Sequence, residues 1–211
     1  MAVANLRRAD TAGPTWEGLL PETSTENLSI EFVESEPAEP LCENYPFDQQ
    51  IHKGTAIYKE PSQYTSGRNI SLDFEFRDGS NLLIIELKTD VTSIDSIYSS
   101  LADIVPTEIT IYRNLHAAED SLWDFFSQAD RILKIHVLDN GFEVPYQEIE
   151  GVDKEDVIGN YAIETATVGF QYQDESILVK YDQGKLQIEA SSEEGREYII
   201  QVFEREVLAD S

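Results

Sequence analysis

Three residues of this 211-residue chain have types and spacing that could do chemistry together: Asp73, Glu86 and Lys88. The turn-forming run Asp78-Gly79-Ser80 separates two alternating segments, 69–77 and 81–89, so the stretch reads as a β-hairpin. With residue 77 facing residue 82, Asp73 falls opposite Glu86, and Cβ atoms so paired lie about 4.5–5.5 Å apart. Two neighbouring carboxylates can hold Mg²⁺, and a lysine two residues on can orient or activate a water; such sites cleave phosphodiesters. The same residues also describe a plain amphipathic hairpin. In that reading Phe74, Phe76, Leu83, Ile85 and Leu87 face a core, while Asp73, Glu75, Arg77, Glu86 and Lys88 pair in water.

The runs Ser71-Leu72-Asp73-Phe74-Glu75 and Ile84-Ile85-Glu86-Leu87-Lys88 precede a helical pattern over 94–104 and an alternating segment over 108–113. This order resembles the core of the PD-(D/E)xK nuclease superfamily. The resemblance implies a metal-dependent nuclease-like domain, active or degenerate, with Asp73 and Glu86 as Mg²⁺ ligands and Lys88 completing the catalytic set. Two features of that family are missing here: no proline precedes Asp73, and no early helix carries a further acid.

Elsewhere the chemistry is sparse. His52, His116 and His136 share no ligand spacing, and Asp153-Lys154-Glu155-Asp156 lacks the alternating oxygen ligands and central glycine of a calcium loop. There is no nucleophile elbow, no phosphate-binding loop and no dinucleotide fingerprint, so no cofactor is expected beyond the Mg²⁺ of the nuclease reading. The single cysteine, Cys42, excludes an internal disulfide, and its acidic surroundings should raise its thiol pKa. Trp16, near Leu19 and Leu20, and Trp123, off the apolar face of its helix, are candidate contacts for a protein partner.

The elements that would position these residues divide the chain into four parts. Residues 1–26 show no periodicity and read as a flexible N-terminal arm. Residues 27–146 read as an α+β core domain with strands near 28–33, 55–59, 69–77, 81–89, 108–113, 132–138 and 142–146, and amphipathic helices over 94–104 and 117–130. A β-α-β crossover from 81–89 through 94–104 to 108–113 would make part of its sheet parallel. Residues 147–160 read as an acidic linker. Residues 161–211 alternate through three strands and end in a helix whose capping box is Ser191 with Glu194. The expected class is therefore α+β: a mixed or antiparallel sheet with two helices, then a small three-stranded meander plus C-terminal helix. No apolar run approaches the roughly 18–20 residues of a membrane helix, and the protein is expected in the cytoplasm.

Charge is the strongest feature. Forty-one acidic against fifteen basic side chains give a net −26. The excess is spread along the chain, at −7 for residues 1–60, −7 for 61–140 and −12 for 141–211. Such self-repulsion opposes compaction until salt shortens the Debye length, to about 3 Å near 1 M. With only seven lysines, the composition points to a halophilic, archaeal origin. It disfavours direct nucleic-acid binding, which needs a basic surface, although ordered rows of acids would instead suit a DNA-mimic inhibitor. The functional expectation is a non-enzymatic binding or assembly protein, a subunit or adaptor of a larger complex. The nuclease-like domain and the DNA mimic stand as alternatives.

Overall fold

The alternation over 69–89 folds as the expected hairpin, and further antiparallel strands assemble around it. The computed structural model describes residues 2–12, 24–61, 67–149 and 157–209. Its class is α+β, with antiparallel strand pairing and, among the described residues, three α-helices. Trp16, Leu19 and Leu20, and residues 150–156 of the acidic stretch 147–160, lie outside the described residues.

The chain forms two compact units, Ala2–Glu39 with Phe47–Arg113, and Pro40–Pro46 with Asn114–Ser211. This division differs from the expected boundary at 147–160. The reason is pairing: the strand at Arg131–Asp139 is bonded antiparallel to the one at Ile163–Tyr172, across that stretch.

In the first unit the strands are β1 (Ala2–Thr11), β2 (Leu28–Pro37), β3 (Gln50–Glu60), β4 (Arg68–Arg77), β5 (Leu82–Leu87) and β6 (Ile109–Ile111), with helix α1 (Ile94–Ile104). They run in the order β2-β3-β4-β5-β1, with β6 also on β1. Residues 2–11, expected within a flexible arm, are thus a strand paired on both sides. The Ala9 N–H donates to the Asn81 carbonyl, whereas the Arg8 carbonyl accepts from the Tyr112 N–H. These two groups belong to one trans peptide, whose C=O and N–H point to opposite edges of the strand, so β1 lies between β5 and β6. The β5-α1-β6 crossover therefore exists in direction, since both strands run antiparallel to β1, but its two strands are not bonded to each other.

Phe74, Phe76, Leu83, Ile85 and Leu87 share one sheet face, and their core cluster includes Ile97, Tyr98 and Leu101 of α1. The N-cap residue of α1 is Ser93, which makes no side-chain cap bond, and the acidic Asp95 of the first turn does not cap the helix. Asp95 turns instead to Arg7 of β1, at 3.1 Å. The Arg7 guanidinium, 2% exposed, lies 4.7 Å from the Tyr98 ring centroid, and a cation over an aromatic face is stabilised there. Pro106 stops α1 because the preceding Val105 is held in extended conformation.

The second unit contains α2 (Glu119–Ser127), β7 (Arg131–Asp139), β8 (Phe142–Pro145), β9 (Ile163–Tyr172), β10 (Glu175–Asp182), β11 (Lys185–Ala190) and α3 (Glu193–Phe203). Its strand order is β11-β10-β9-β7-β8. The 9–11 meander and the C-terminal helix form as expected. Phe125 of α2 anchors the core, with ring centroids 5.4 Å from Phe170 of β9 and 5.2 Å from Phe203 of α3. The cap of α3 is one residue later than expected, with Ser192 Oγ accepting from the Gly195 N–H at 2.9 Å.

Candidate functional sites

The β4–β5 register pairs Asp73 with Glu86 directly. On the far side of β4, Asp73 faces Thr55 of β3. Lys88, just past the end of β5, turns back so that its Nζ donates to Asp73 Oδ2 at 2.7 Å. That pair is open to solvent, with the Lys88 side chain 68% and the Asp73 side chain 41% exposed. The hydrogen bond and charge of Asp73 raise the Lys88 pKa, and the Glu86 charge adds to the effect. An ammonium group is therefore paired with Asp73, the register partner of Glu86. Among the described residues, no three His, Cys, Asp or Glu side chains converge as a metal-binding group.

Glu75 and Arg77, expected in water beside this pair, are instead buried, at 5% and 0% exposure. Arg77 Nη2 reaches Glu75 Oε2 at 3.3 Å. Leu82 and Ile84 of β5, register partners of Arg77 and Glu75, are buried on the same face. The hairpin is therefore covered on both faces at its turn end, and only its Asp73–Lys88 end meets solvent on this face.

Trp123 is a buried residue, 4% exposed, and this corrects its expected role as a surface contact. Its indole N–H donates to the Tyr161 carbonyl at 2.9 Å, and its ring meets Tyr146 edge-on at 6.0 Å. The helix buries a wider face than the Leu122–Phe125–Phe126 stripe because the segments at 146 and 161 close over its flank.

Sequence patterning overlooked a row on β2, β3 and the β4–β5 turn. Ser35 is the register partner of His52, and Ser35 Oγ lies 2.7 Å from His52 Nδ1. The other ring nitrogen, Nε2, lies 3.6 Å from Asp78 Oδ2, and Asp78 Oδ1 accepts the Gln50 N–H at 2.8 Å. Nε2 makes no hydrogen bond, so the row holds a serine–histidine contact and no continuous proton path. The signal was the β2–β3 register, which no local motif encodes. His136 pairs with Glu143 across β7–β8 at 2.7 Å, in a half-buried position.

Cys42 is buried. Burial is the main cause raising its thiol pKa, with the charges of Glu204 and Glu206 adding to it and Arg205 opposing. The acids responsible lie in the C-terminal turn, far from Cys42 in sequence.

The β7–β8 hairpin carries a different kind of surface. Its turn is Asn140-Gly141, both with positive φ (48° and 83°), as a two-residue hairpin turn requires. Leu138, opposite Glu143, and Phe142, opposite Asp139, fall on alternate faces of this hairpin, and they are 42% and 73% exposed. Ile132 and Leu133 at the other end of β7 are 43% and 49% exposed. Compared with known proteins, the chain matches no family model and no curated sequence.

Proposed function

We propose that the protein is a non-enzymatic binding or assembly protein, a subunit or adaptor of a larger complex, adapted to a high-salt cytoplasm. One observation carries this reading: the open tip of the β7–β8 hairpin presents Leu138 and Phe142 on its two faces. Large apolar side chains left in water beside the turn of a hairpin suit insertion into an apolar groove of another protein. The end strand itself is a poor template for strand addition, because β8 has four residues and closes on Pro145, which has no N–H to donate. Side-chain docking is therefore the favoured mode. The net charge of −26 offers no basic surface for nucleic-acid phosphates, and an apolar groove of a different protein is the partner we favour.

The test compares wild type with Leu138→Ser/Phe142→Ser as baits in the native host's extract at molar KCl. The reading expects one stoichiometric partner on the wild type, and its loss from the double variant while the melting temperature stays within a few degrees. Equal recovery of that partner by both proteins, or no partner with either, overturns the reading.

A further inference from the structure

His52 of β3 is 3% exposed, whereas its register partner Ser35 is open to solvent on β2, the end strand of its sheet. Burial takes the imidazole away from water, so its nitrogens need partners inside the protein. Nδ1 has one, the Ser35 hydroxyl at 2.7 Å. Nε2 is buried without a hydrogen bond, and Asp78 Oδ2 stands 3.6 Å from it.

That geometry selects one tautomer. With the proton on Nδ1, the lone pair of Nε2 would face a carboxylate, which repels it. With the proton on Nε2, the N–H turns its positive end to the carboxylate, and Nδ1 is left to accept from the Ser35 hydroxyl. The Gln50 N–H, donating to Asp78 Oδ1 at 2.8 Å, fixes the carboxylate in this place. A serine that donates to a neutral imidazole, itself oriented by a carboxylate, is an activated nucleophile. No proton passes to Asp78. Its charge stabilises the imidazolium that forms when His52 takes the Ser35 proton.

The backbone supplies a donor for the oxyanion. The Ala38 N–H donates to the Gln49 carbonyl at 3.0 Å, which makes these two residues a hydrogen-bonded pair of the β2–β3 ladder. Such pairs alternate with non-hydrogen-bonded ones, in which the side chains come closest. Counted back along the register, Ser35 and His52 are of the second kind, so the Ser35 N–H points away from β3. Among the described residues no strand lies beyond β2, and this N–H is directed off the open edge.

We propose that Ser35 is a nucleophile that takes an acyl group from a neutral activated ester, with His52 as its base. The site is independent of the docking reading and uses none of the hairpin residues. Ser35 Oγ bonds to the ester carbonyl carbon as His52 Nδ1 accepts its proton. The tetrahedral oxyanion meets the Ser35 N–H. The bond to the leaving alkoxide then breaks, and His52 returns the proton to that alkoxide. The products are an ester on Ser35 and a free alcohol. Exposed Glu34 and Glu36 flank Ser35 in the chain, and their charge disfavours an anionic donor.

The test treats the whole chain in molar KCl with p-nitrophenyl acetate, and separately with a neutral fluorophosphonate, each followed by peptide mapping. We expect both groups on Ser35, a burst of p-nitrophenolate that Ser35→Ala abolishes, and labelling about 100-fold slower or more in His52→Gln. Nitrogen NMR of the His52 ring is a second measurement, made on the unaltered fold, and should find the proton on Nε2. In Asp78→Asn an amide N–H in the place of Oδ2 would donate to Nε2, so the proton should move to Nδ1 and labelling should slow. No adduct on Ser35, equally fast labelling of another serine, labelling indifferent to either variant, or a wild-type proton on Nδ1 overturns the proposal.

Discussion

Gln201, wholly buried in α3, accepts the Leu41 N–H through Oε1 at 2.6 Å, across 160 positions of sequence. The same oxygen accepts the Cys42 N–H at 3.3 Å, and Gln201 Nε2 donates to Glu197 at 2.8 Å. Nearby, the Tyr45 hydroxyl donates to Glu204, itself fully buried, at 2.6 Å. The proline-flanked segment 40–46 forms no strand or helix, so its backbone donors need side-chain acceptors. Gln201, at a core position of α3, provides one, and Glu204, just past that helix, takes the Tyr45 hydroxyl.

Gln201→Met keeps the volume and removes the acceptor. Leaving buried N–H groups unpaired costs about 1–3 kcal/mol, so the urea midpoint should fall with the m-value unchanged. Native Cys42 should also react faster with iodoacetamide as the segment loosens. An unchanged midpoint would mean that water replaces the glutamine without loss.

Glu175 at the start of β10 closes onto the N-terminus of α3. Its carboxylate accepts from the Ser191 and Ser192 N–H groups and the Ser192 hydroxyl. Although burial pushes the other way, these hydrogen bonds hold its pKa below the usual carboxylate value. Its stabilisation is complete above the unfolded glutamate pKa of about 4.3 and fades as pH falls through the lower folded value. Glu175→Gln should therefore cost about 0.5–2 kcal/mol at pH 7, the scale of a lost N-terminal cap. Most of that difference should vanish at pH 2–3, and a difference independent of pH would refute the assignment.

Lys88 and Asp73 give a contrasting case. An exposed ion pair is worth about 0–1 kcal/mol, so Lys88→Ala should barely move the urea midpoint. If the ammonium serves the place of a metal ion, millimolar Mg²⁺ should leave the melting temperature of wild type unchanged. A saturable rise with Mg²⁺ that Asp73→Asn abolishes would revive the nuclease-like reading.

How much was legible follows from how each element declares itself. The β4–β5 register was readable to the residue, because the turn at 78–80 and the alternation beside it fix the pairing of Asp73 with Glu86. Helix α1 was readable to its ends from apolar spacing and Pro106. Strand β1 was hidden because both its faces are buried while two of its inward residues are Asn5 and Arg7. Local patterning counts these as polar, and only Asp95 and Tyr98, some ninety residues on, explain how Arg7 is accommodated. The Ser35–His52–Asp78 row was illegible for the same reason. It joins residues from separate elements whose meeting depends on strand order, and no short spacing records that.

The last prediction concerns salt. Forty-one acids face fifteen bases across both units, and folding brings those like charges closer than the unfolded chain does. Repulsion of this kind is long-ranged in dilute buffer, where the Debye length is about 30 Å at 0.01 M, and is nearly extinguished at 1 M. Local ion pairs such as Arg7–Asp95 would weaken slightly over the same range, but they are few beside the excess of acid. The melting temperature should therefore climb steeply between dilute buffer and molar KCl and then level off. Chloride is the proper titrant, since sulfate would also strengthen apolar burial and confuse the two causes. Replacing KCl by an osmotically equal concentration of sucrose separates screening from exclusion effects. If sucrose reproduces the whole rise, or if KCl produces none, then repulsion does not limit this fold and the case for a high-salt protein falls with it.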